Sequence, residues 1–218
     1  LADAGHASSA DLVAAYERLV HGPAAGPAVY AAATQAKIAV AGAYETFDMT
    51  IAQGRTQKSC GATWSFVANA AGHITASADL VLYLATIGRV PTACPDSGTL
   101  LLACAQEVEA NANSAVDEMT RTFTSKETQD FCSSQAFTPD RFEKVTVDGL
   151  GDTFGQLEER VDACLAYWQT KPPALSEMAL GQQALALVWA EEWLIHLMWV
   201  STRIRAAADS THQVAKVN

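Results

Sequence analysis

Two long apolar seams, each advancing in steps of three and four residues, constrain this chain more than any other feature. Trp64, Val67, Ala71, Ile74, Ala78 and Val81 form the first; Leu101, Ala105, Val108, Ala112, Ala115 and Met119 form the second. A repeat near 3.6 residues puts every member on one face of an α-helix, whereas a strand would need a period of two. The alanines within both seams let helix axes approach closely. Alanine also loses no side-chain entropy in a helix, and the long Val/Ile runs that strands favour are absent. The expectation is an all-α fold.

The same spacing extends the pattern over most of the chain. Ser8 and Ser9 precede DLVAAYERLV, a short first helix stopped by HGPAAGP. Pro27 opens a second helix in which Val40, Tyr44, Phe47 and Ile51 recur before Gly54 ends it. The third and fourth helices carry the two seams, with PTACPDSG as the turn that sends the fourth back beside the third. From 124 to 151 the pattern is irregular, with Pro139, Gly149 and Gly151 in FTPDRFEKVTVDGLG. Phe154, Leu157, Val161, Cys164 and Trp168 mark a fifth helix, and after Pro172 and Pro173 a last one runs towards Ala208. Between Leu185 and Val200 that helix is apolar nearly all round, as expected of a helix surrounded by others. The predicted architecture is an antiparallel bundle of about five long helices plus one short N-terminal helix, forming a single domain over 1–218.

Charge excludes some partners. With 14 Lys and Arg against 24 Asp and Glu, the net charge of -10 repels phosphate, and the cations are scattered instead of striped. Nucleic acid is excluded on that ground, and an anionic membrane surface is disfavoured. The stretch ALALVWAEEWLIHLMWV carries Glu191, Glu192 and His196 near its centre, an expensive arrangement in lipid, so no transmembrane segment is assigned. Small residues in LADAGHA suggest a processed N-terminus.

Five cysteines stand at 60, 94, 104, 132 and 164, with no CxxC pair and no finger-like histidine spacing. If the third and fourth helices form a hairpin, Cys60 meets Cys132 at one end and Cys94 meets Cys104 at the other. Cys164 is then a free, apolar and unreactive thiol on the fifth helix. Two such bridges imply an extracellular, cell-surface or other oxidising compartment. The alternative is five buried thiols.

The polar anomaly is WAEEWLIHLMW, where Glu192 and His196 sit at i and i+4. With Glu191 on the neighbouring face and His73 on the third helix, these are the candidate metal ligands. No Glu is followed by His three positions later, so the di-iron carboxylate pattern fails. VTVDGLGDTFGQLEERV holds a GxGxxxG run, but it leads into helix and reads as a loop with Asp152 or Thr153 capping. Trp168, Trp189, Trp193 and Trp199 are core residues or, where helices part, the walls of an apolar ligand pocket. No catalytic motif occurs, so no catalytic residue and no cofactor is assigned. The expected function is binding of a protein partner or a hydrophobic small ligand by an exported, disulfide-stapled bundle. The competing reading is a metal- or cofactor-bearing bundle, including an oxidoreductase.

Overall fold

The computed structural model describes residues 1–52, 58–88, 90, 94–124 and 150–215, and every element among them is helical. The helices are α1 (Ala2–His21), α2 (Gly26–Ala52), α3 (Lys58–Ile87), α4 (Pro95–Thr124), α5 (Asp152–Thr170) and α6 (Glu177–Ala215), with a single 3-10 turn over Gly22–Ala25. The bundle is all-α, as the seams require. From Val67 onward the first seam is buried, the second is buried at all six positions, and all five marker residues of α5 are buried too.

The first helix departs from expectation. It spans 20 residues instead of starting after Ser9, and its Leu12, Ala15, Tyr16 and Leu19 are fully buried. Ser8 and Ser9 do not cap it; they bridge to its neighbours. The Thr75 hydroxyl donates to the Ser8 oxygen at 2.9 Å, and Ser9 donates to the Asn113 side-chain oxygen at 2.7 Å. Small residues at Ala4, Gly5, Ser8 and Ser9 carry no bulk, so the first turns of α1 fit between its neighbours without an apolar seam to announce them.

α1 is consequently the inserted element of the bundle. It packs along α3, α4 and α2, while α4 packs on α6 and α1, and α5 closes against α4 and α6. It is α1, and not α4, that runs beside α3. The expected hairpin of third and fourth helices is thereby opened.

The cysteine pairing is corrected with it. Cys94 bonds to Cys164, with Cα atoms 6.1 Å apart, and among the described residues Cys104 is the free thiol, buried. The expected Cys94–Cys104 bridge is ruled out by helix geometry, because α4 begins at Pro95 and carries Cys104. At 1.5 Å per residue the two lie about 14 Å apart along the axis, far beyond disulfide reach. Cys164 lies across from Cys94 because α5 packs on α4. The Cys60–Cys132 pairing, the Trp64 side chain and the 125–149 part of the irregular segment lie outside the described residues.

α6 also differs in one respect. It is not surrounded: Ala186, Leu187, Ala190, Leu194 and Leu197 face the core, while Leu185, Trp189, Glu192 and His196 are exposed. Its one-sided packing against α3, α4 and α5 leaves the opposite apolar face bare. By length and composition alone, Ser65–Ile87 and Glu177–Arg205 would cross a membrane, and 44% and 50% of their most apolar windows is buried within the bundle. At the N-terminus of α5, Gly151 takes φ 103°, a left-handed conformation that favours glycine, and no side chain caps the helix. Asp152 instead lies in the first turn, where a carboxylate favours the helix dipole.

Candidate functional site

Along α6, positions 196, 199 and 203 fall on one face at helical spacing, and on α3 positions 66, 69, 70 and 73 do the same. Between α3 and α6, these faces line a groove of about 410 Å³ formed by Phe66, Asn69, Ala70, His73, His196, Trp199, Val200 and Arg203. Ala70 and Val200 form its buried floor.

The rings in and beside the groove form a ladder. His196 stacks on Trp199 with centroids 6.1 Å apart and meets Trp193 edge-on at 5.8 Å. His73 approaches His196 across the helix pair at 6.4 Å, also edge-on. The Arg203 guanidinium lies over the Trp199 ring, 5.4 Å from its centroid, a cation–π contact. Partial burial of its ring, and then the neighbouring His73, lower the pKa of His196, so its imidazole stays neutral further into acid. Tyr44 on α2 donates to the side-chain oxygen of Asn69 at 2.8 Å, which turns the amide nitrogen of Asn69 away from α2.

The four residues considered as metal ligands are thus divided. His73 and His196 are brought together, but Glu192 is exposed and Glu191 is 8% exposed on another face, towards α4 and α5. There the Glu191 carboxyl is pushed up to about 8 by burial and by Asp162, Glu192 and Glu158. The Cys104 thiol is pushed up to about 12 by burial and by Glu107 and Glu191, which keeps it protonated and unreactive. Among the described residues no group of three or more His, Cys, Asp or Glu side chains is arranged to hold a metal ion.

The tryptophans divide as well. Trp199 lines the groove and Trp193 supports it through His196. Trp168 is buried, and with Leu180, Ala184 and Leu185 it lines a shallow depression of about 540 Å³ between α5 and α6. Trp189, 47% exposed, lines neither of these two cavities.

Sequence reasoning passed over Phe66, Asn69 and Arg203, whose spacing to His73 and His196 was visible but whose partnership depends on how α3 and α6 cross. It also passed over Asp11, which lies in the buried face of α1 beside Leu12. Neither Asp11 carboxyl oxygen has a hydrogen-bond partner. Burial and Asp79, opposed by Lys37, push this carboxyl up to about 6. Lys37 itself pairs with Asp79 at 2.8 Å.

No family model, curated protein or solved structure matches this chain.

Proposed function

We propose that this chain is a non-catalytic binding protein of an oxidising compartment, and that it holds a small apolar ligand in the groove between α3 and α6. The groove carries this reading. Its volume of about 410 Å³ falls within the range of small-molecule sites, and Phe66 and Trp199 give it flat apolar walls. The Cys94–Cys164 bond supports export, since a cross-link between α4 and α5 persists where glutathione does not reduce it. Among the described residues the free thiol is the protonated Cys104, and no Ser, Thr, Cys or Lys side chain lines the groove.

The test uses Nile red, an uncharged apolar dye. One dye should bind per chain with blue-shifted emission, and Asn69→Trp, placed at an exposed wall position, should weaken binding by about tenfold or more at unchanged helicity. Dye binding that ignores Asn69→Trp would overturn the assignment of the groove. The metal-bearing alternative draws on the close approach of His73 and His196. Under the binding reading, His196→Ala and Glu192→Ala leave the metal content of natively purified protein, measured by mass spectrometry, equal to wild type. A loss of bound metal in either variant would favour the alternative.

A further inference from the structure

We infer that the surface seam between α5 and α6 docks a helix of a partner protein, one that carries lysine or arginine beside an apolar face. The seam is separate from the groove between α3 and α6, so the inference stands without the small-ligand reading above. The short connection between Thr170 and Glu177 turns α6 back along α5 as an antiparallel pair. The character of the seam changes along that pair.

Near the connection it is apolar. Leu165 and Val188 join Trp168, Leu180, Ala184 and Leu185 around the depression of about 540 Å³. Trp189, 47% exposed, stands beside it, one helical turn beyond Leu185. Further from the connection the same rows turn acidic. On α5, Asp162 and Glu158 lie one and two turns before Leu165; on α6, Glu191 follows Val188 and Glu192 follows Trp189 by one turn each. Glu158, Asp162 and Glu192 are exposed, and Glu191 is 8% exposed.

Among the described residues no cation pairs with any of these four carboxylates, and none of them makes a side-chain hydrogen bond. Glu191 feels the result: after burial, the groups that push its carboxyl up are Asp162, Glu192 and Glu158, and no basic residue opposes them. Carboxylates without counter-ions, in line with an apolar depression, complement a segment that is apolar at one end and basic at the other. From Glu158 to Gln169 the seam runs about 16 Å, so a partner helix of about three turns spans it. Such a helix lies in the seam through anchors at i, i+3, i+4 and i+7. An anionic lipid surface is repelled by the same carboxylates.

Three fluorescein-labelled peptides of equal length, titrated by anisotropy against the full chain at low salt, test the seam. LKKLLKLLKKLLKL is apolar and basic, LEELLELLEELLEL reverses its charge, and GKKGGKGGKKGGKG keeps the lysines without the leucines. The first should bind more tightly than either of the others by about tenfold or more. Asp162→Asn combined with Glu192→Gln, both at exposed positions, should weaken it by about fivefold, and so should Leu185→Gln, at unchanged helicity. Asn69→Trp, in the other groove, should leave it unaltered.

Equal binding of the acidic peptide or of the leucine-free peptide would overturn the inference, as would an affinity that survives both the double variant and Leu185→Gln. Weakening by Asn69→Trp would move the peptide to the groove between α3 and α6 and overturn the docking seam. Capture of the chain by phosphatidylcholine vesicles, lost in Leu185→Gln, would give the seam to a lipid surface and overturn it too. Nile red reports on the other groove alone, so either reading can fail while the other holds.

Discussion

Tyr16 shows how one buried side chain ties distant parts of the chain together. It is fully buried on α1, and its hydroxyl donates to the carbonyl of Ala190 on α6 at 2.6 Å. Tyr16→Phe removes the donor and leaves a buried carbonyl short of one partner, so chemical denaturation should show a loss of about 1 to 2 kcal/mol. Two carboxyls make stability depend on pH in an unusual sense. Asp11 rises from 3.8 to about 6 and Glu191 from 4.5 to about 8, both through burial first. For a group whose folded pKa is raised, the stabilisation is complete below the unfolded value and disappears as pH climbs through the folded one. For Asp11 the difference is worth about 3 kcal/mol, lost between about pH 4 and pH 6. Thermal midpoints across pH 4 to 9 check the assignment. Relative to wild type, Asp11→Asn should gain stability up to about pH 6 and then level off, while Glu191→Gln should keep gaining to about pH 8. Parallel curves for wild type and variant would show that the carboxyl concerned does not titrate abnormally.

At the scale of the helices, the spacing of seams is only half of packing; the other half is where backbones can touch. Gly88, just past the end of α3, is such a contact. A Cβ there would lie 2.9 Å from the backbone carbonyl oxygen of Gln182 on α6, which no rotamer change relieves. Gly88→Ala should therefore cost about 1 to 3 kcal/mol by chemical denaturation, far more than the same change at Gly42, whose Cβ would meet nothing within 4 Å. Equal effects at the two sites would show that α3 and α6 do not meet there. The α4–α6 contact has a polar component that spacing alone does not reveal. Arg205 donates to Asn111 at 2.9 Å and to Ser114 at 2.7 Å, and Asn111 donates to Ser201 at 3.1 Å. Asn, Ser and Arg at these positions read as surface residues until the two helices are set side by side.

Over the whole molecule, the Cys94–Cys164 cross-link adds to stability. The Cys94–Cys164 bond joins residues 70 apart, and closing a loop of that length in the unfolded chain contributes about 4 kcal/mol in the chain-entropy account. Reduction should lower the denaturation midpoint by a corresponding amount, and Cys104 should resist alkylation until the bundle unfolds. Modification of Cys104 in the folded, oxidised protein would contradict its burial. The sequence by itself determined the helices: their period, most of their limits and the buried faces of α3, α4 and α5 all follow from side-chain spacing, which is local information. It also singled out His73, His196 and Trp199, because polar and aromatic residues on apolar helices stand out. The tertiary structure alone decided that α1 lies beside α3 and α4, that Cys94 pairs with Cys164, and that Phe66, Asn69 and Arg203 complete the groove. Each of these depends on the order in which helices pack, and helices with Ala-rich faces carry little shape by which spacing alone could choose one neighbour over another.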